Sequence, residues 1–142
     1  MGRLKDAGLG AAIAAAVLMV DAGLAQAMAA PRPVTQGEAT WVNGGIGKTE
    51  AEAIRRMAPE WPLQMTFLER HQGRDEFVAG VKLLITAEDG RTVVDVRDGG
   101  PLLLLKLPGG HYTVRADYDG HVETRRIDVA AGRHDAVAFL WS

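Results

Sequence analysis

The sequence predicts a mainly β protein: a two-sheet, seven-strand antiparallel β-sandwich with one short N-terminal helix ahead of it. Three observations predict this. Turn chemistry recurs about every ten residues after Gly80, at Glu88-Asp89-Gly90, Asp98-Gly99-Gly100-Pro101, Pro108-Gly109-Gly110, Asp119-Gly120 and Ala131-Gly132. Each signal reverses a strand before it outgrows its sheet. The segments between alternate apolar and polar residues, the period of a half-buried strand. The connections are of hairpin length, which favours antiparallel pairing.

The first thirty residues are of different composition. Arg3 and Lys5 precede an apolar run from Ala7 to Val20, and Ala25-Gln26-Ala27 and Ala27-Met28-Ala29 both fit an Ala-x-Ala cleavage site. The run falls short of the roughly twenty residues needed to span hydrocarbon. Residues 1–29 therefore read as a cleaved signal peptide, with no integral membrane span after cleavage. The protein is then periplasmic or secreted. Cysteine is absent, which excludes a disulfide scaffold, thiol chemistry and zinc–thiolate sites. The formal net charge of −2 gives no electrostatic reason to expect nucleic acid or an anionic membrane as partner.

Residues 30–40, polar and proline-bearing, read as a flexible linker. Residues 41–62 hold a glycine-rich turn and a short capped helix. Thr49 and Glu52 have capping-box spacing, Ile54, Met57 and Ala58 form an apolar stripe, and Arg55 and Arg56 turn to water. Pro59 and Pro62 end the helix. A helix this short must dock on a sheet to be stable.

The sandwich occupies residues 63–142. Its strands read as 63–69, with Leu63, Met65 and Phe67 on one face; 77–86, the longest, with Val81, Leu83 and Ile85 alternating; and 91–96, with Val94 and Val96 inward. Strands 102–107, 112–118, 122–129 and 136–141 follow. Two places break the alternation. A β-bulge near Arg125 would bring Ile127 and Val129 to the core. Leu102 to Leu105 is apolar on both faces, so if Leu103, Leu105 and Leu107 face the core, Leu102 and Leu104 need a cover. The short helix is one candidate, and a partner molecule is the other, which makes Leu102 and Leu104 a candidate interaction surface.

Val81-x-Leu83-x-Ile85 with Asp89-Gly90, Asp98-Gly99-Gly100-Pro101 into Leu102, and Leu107-Pro108-Gly109-Gly110-His111-Tyr112-Thr113-Val114 carry a resemblance. So do Tyr118-Asp119-Gly120 and Phe139-x-Trp141. The stretch from Val81 to Trp141 resembles the carboxypeptidase regulatory-like domains, which share the transthyretin (prealbumin) type of sandwich. The resemblance implies a prealbumin-like or Ig-like fold and an exported protein of the small proteobacterial type, and it implies no activity. Tyr112 suits a tyrosine corner, with its ring in the core and its hydroxyl needing a partner.

Several constellations mimic chemistry. Asn43-Gly44-Gly45-Ile46-Gly47-Lys48-Thr49 resembles a deviant phosphate loop, but Val42 and Asn43 stand where the loop forms need glycine and lysine, and no βαβ units follow. His111 and His121 flank one predicted hairpin and are weak candidates for a metal site; no histidine pair has local ligand spacing. The transthyretin-like hydrolases end in Tyr-Arg-Gly-Ser, whereas this chain ends Ala138-Phe139-Leu140-Trp141-Ser142, with Ser142 the only serine. The acid pairs Asp75-Glu76 and Glu88-Asp89 fall in turns. Trp41, Trp61 and Trp141 suit core packing or a sugar-stacking platform. The expectation is a non-catalytic exported module, without cofactor, binding an unknown envelope protein or ligand or serving a structural role. The alternatives are a small-ligand or metal-binding periplasmic protein using the His111/His121 end and, disfavoured, a transthyretin-like hydrolase.

Overall fold

A computed structural model of the chain describes residues 30–142. The export signal read in residues 1–29 lies outside the described residues. Pro31–Ser142 forms one compact unit, mainly β, with two sheets and one short helix. No helix among the described residues is long and apolar enough to cross a membrane.

The first sheet contains β1 (Val34–Gln36), β2 (Ala39–Gly44), β3 (Leu63–His71), β4 (Arg74–Phe77), β7 (Leu102–Lys106) and β10 (Asp135–Trp141). Its order is β1-β2-β7-β3-β10, with β4 pairing to the far end of β3. The second sheet contains β5 (Val81–Ala87), β6 (Thr92–Gly99), β8 (Gly110–Tyr118) and β9 (His121–Val129), in the order β6-β5-β8-β9. The inward faces share one core: Leu63, Met65, Phe67, Leu103, Leu105 and Phe139 from the first sheet meet Val81, Leu83, Ile85, Val94, Val96 and Val114 from the second. These are the alternating positions of the sequence.

Helix α1 (Lys48–Met57), followed by a 3-10 turn at Ala58–Glu60, connects β2 to β3. Those strands run in the same direction on either side of β7. A helix making that crossover returns over the strand between, and the contacts agree. Leu102 and Leu104 are fully buried with Val42, Ala51, Ile54, Ala58 and Trp61. The chain thus supplies its own cover, and Leu102 and Leu104 offer no surface to a partner.

Several readings need correction. Residues 30–40 are not merely a linker: Val34–Gln36 pairs with β2 as a hairpin, because Gly37 takes a positive φ of 56° at its tip. The reading 77–86 as one strand fails at Gly80, whose φ of 77° breaks the pleat and separates β4 from β5. With β1, β2 and β4, the described residues hold ten strands rather than seven. Not all pairing is antiparallel: β10 lies parallel to β3, from Asp135↔Leu63 to Trp141↔Glu69. Short connections set only the pairing of strands they join, and β10 crosses from the other sheet to a strand far back in sequence.

The capping box does not form. The helix begins at Lys48 with Gly47 as N-cap and no side-chain cap bond, so Thr49 lies inside the first turn. Glu50, three residues after the cap, reaches back instead, and its Oε1 accepts from the Gly45 N–H at 2.8 Å. Nor is there a bulge near Arg125. The β8–β9 ladder runs unbroken from Gly110↔Val129 to Tyr118↔His121. Continuous register puts Arg125 on the inward side, opposite Val114. There its guanidinium lies 4.7 Å from the Phe139 ring centroid and donates to the Ala138 carbonyl. Val122 faces out and is exposed.

The Tyr112 hydroxyl donates to the Pro108 carbonyl at 2.6 Å while its ring stays in the core. Tyr112→Phe removes that part-buried bond. It is expected to lower the unfolding free energy by about 1 kcal/mol in urea titration, with the slope unchanged.

Candidate functional site

The residues singled out for chemistry are not brought together. His111 pairs in register near Asp128, and His121 lies opposite Tyr118 at the other end of the hairpin. Seven positions of strand separate them, roughly 24 Å. His111 and His121 therefore cannot share a metal ion. His111 Nδ1 is hydrogen-bonded to the Asp128 carboxylate. The His121 carbonyl accepts from Trp141 Nε1 at 2.9 Å. His134 Nδ1 donates to the Trp61 carbonyl.

The bond to Asp128 raises the His111 pKa above its ordinary 6.5, and the Asp128 and Glu88 charges add to it. The bond from His111 lowers Asp128 below its ordinary 3.8. A raised histidine stabilises the fold below its unfolded value and loses that effect as pH rises through its folded value. A lowered carboxylate stabilises above its unfolded value and loses the effect as pH falls through its folded one. The pair therefore acts in mild acid. His111→Ala is expected to depress the melting temperature slightly near about pH 5 and not above about pH 9, as read in melts across that range.

The three tryptophans are buried, and the Lys106 ammonium lies 4.4 Å from the Trp61 ring centroid. Their faces are core and offer no platform for a sugar. At the glycine-rich turn, the Glu50 carboxylate occupies the Gly45 amide. A Cβ at Gly44 would stand 2.3 Å from that carboxylate. The chain's own acid thus fills the place where a phosphate would have to sit. The Asp75-Glu76 pair lies in β4, where Asp75 bridges Arg70 at 2.9 Å. Asp89 Oδ1 accepts from the Arg91 N–H within its turn.

The strongest candidate site was not read from the sequence. It is a groove of about 510 Å³ beside the start of α1. Ile46, Phe77, Ala79 and Pro101 make its apolar lining, and Lys48 and Arg55 stand at its margin.

Two backbone features build it. Gly45 and Gly47 hold φ of 99° and 87°, so the link from β2 to α1 turns sharply around Ile46. The Gly45 backbone presses on Leu102, whose Cγ would lie 3.0 Å from an added Cβ. The link is thus fixed from beneath, and Ile46 projects outward, 71% exposed. On the other side, Val78 turns into the core and its N–H bonds the Phe67 carbonyl at 3.1 Å. Its neighbour Phe77 must then face out, and it is 53% exposed. Arg55 lies across it, 5.7 Å from the ring centroid.

Lys48, Ala51 and Arg55 fall on one side of α1 at helical spacing. The alanine between the two cations leaves the groove open. Neither cation makes an ion pair among the described residues. The lining therefore offers apolar surface and positive charge with no acid of its own. Such a site can hold a ligand through apolar contact and positive charge.

No family model matches this sequence, and no curated protein matches it.

Proposed function

We propose that this is an exported, non-catalytic binding module of the cell envelope, periplasmic or secreted, built on a prealbumin-like β-sandwich of the carboxypeptidase regulatory-like type. The groove carries the reading: Ile46 and Phe77 hold large apolar side chains in water beside two unpaired cations. Exposed apolar surface rimmed by polar groups marks interaction sites more often than scattered single residues do. The fold supports the assignment through its shared core and through the Tyr112 hydroxyl tied to Pro108 across the Pro108-Gly109-Gly110 turn. Export is supported by Arg3, Lys5, the apolar run and the Ala-x-Ala sites.

Two measurements test it. Mass spectrometry of the protein from osmotic-shock fluid or medium should find an N-terminus just after Ala27 or Ala29; a cytosolic protein retaining Met1 overturns the export reading. A photo-crosslinking amino acid at Ile46 or Phe77 should give discrete adducts in the native envelope. The same group at Val122, exposed on the second sheet, should not. Absence of adducts from both groove positions overturns the binding role.

A further inference from the structure

We infer that the groove takes an acidic, apolar peptide segment of a partner protein, an apolar side chain lodging between Ile46 and Phe77 while carboxylates meet Lys48 and Arg55. This rests on the binding role above and gives it a partner class.

Size and shape come first. The volume of about 510 Å³ lies within the range of pockets that hold organic ligands. The groove is open along one side, so it suits one or two side chains of a polypeptide passing across it.

Charge decides the rest. The protein carries a net charge of −2, yet the titratable groups of this lining are two cations. That local excess selects negative partners and repels basic ones. Two cations are too few for a nucleic-acid backbone, which is bound by a stripe of them. Arg55 already lies over Phe77, so its planar fork is pre-placed beside the apolar bed, and little freedom is lost when a carboxylate arrives. Glu50 sits close by but is committed to the Gly45 amide and absent from the lining.

The test uses the purified chain and a short fluorescein-labelled peptide of alternating Glu and Leu, read by fluorescence anisotropy. Companion probes replace Glu by Gln, replace Glu by Lys, or present anionic phosphatidylglycerol vesicles. Saturable binding of the Glu peptide is expected. The Gln peptide should bind about tenfold more weakly, the effect of losing two solvent-accessible charge pairs. The double variant Lys48→Glu/Arg55→Glu should lose the Glu peptide to the same degree and gain the Lys peptide. Ile46→Ser, a change on an exposed loop that should not disturb folding, should weaken every peptide. Arg91→Glu, at the opposite end of the sheets, should change nothing, and circular dichroism melts verify that each variant is folded.

Equal binding of the Glu and Gln peptides, or binding unaffected by the charge reversal, overturns the inference. So does tight binding of vesicles with none of peptides. If adducts form at Ile46 and Phe77 in the envelope while the Glu peptide fails, the partner class is wrong and the binding role stands. If both fail, both fall.

Discussion

Phe67→Ala is expected to lower the unfolding free energy by about 3–5 kcal/mol, the largest loss for a single truncation here. Phe67 is fully buried where the two sheets meet. Its ring lies 5.7 Å from Phe139 and 6.3 Å from Trp141, centroid to centroid, and it packs under Gly100, where an added Cβ would come within 2.5 Å of it. Its carbonyl and amide bond Val78 and Pro101, the links between sheets. Truncation therefore opens a cavity between the sheets that its neighbours fill only in part. Domains of this size hold only about 5–15 kcal/mol in all, and with no cysteine in the chain no disulfide offsets the loss. Chemical denaturation should show the midpoint falling sharply. A loss below about 1 kcal/mol would mean that the sheets do not close on this ring.

Leu104→Ala is expected to cost about 2–5 kcal/mol. The residue is fully buried beneath α1, among Val42, Ile54 and Trp61. The result separates two explanations of the four-leucine run. If the helix is the cover, truncation destabilises the isolated protein. If the face were meant for a partner, truncation would leave stability unchanged and reduce only association. Helical circular dichroism should fall before the β signal on heating the variant, because a ten-residue helix has little stability away from its sheet.

Much of the fold was legible in single residues. Val81, Leu83 and Ile85 alternate with the more exposed Lys82, Leu84 and Thr86, and they face inward. The double-sided leucines of β7 announced a layer on each face, and Ile54 and Ala58 supplied one of them. Illegible features depended on partners remote in sequence. Nothing near Asp135 reveals that β10 lies parallel to Leu63–Glu69. A bulge near Arg125 is suggested because Val122 and Ile127 have opposite parity, yet the ladder is unbroken and Val122 simply faces out.

The candidate site was hidden for the same kind of reason. Phe77 has the parity of Val81 and Leu83, so alternation sends it inward. Only the positive φ at Gly80 changes the phase and turns it out. Ile46 was visible in principle, since an isoleucine between two glycines has no strand or helix neighbour to pack on. The histidines misled in the opposite sense, because flanking one hairpin can mean sitting at its two ends.

The reach of Arg125 from β9 to the Ala138 carbonyl bears on the unpaired edge of β10. β10 closes its sheet and would otherwise present free backbone to any extended chain. A guanidinium fixed on that carbonyl, held by the Phe139 ring below, denies an incoming strand one of the acceptors it needs. One side chain of the second sheet thus occupies part of the open border of the first.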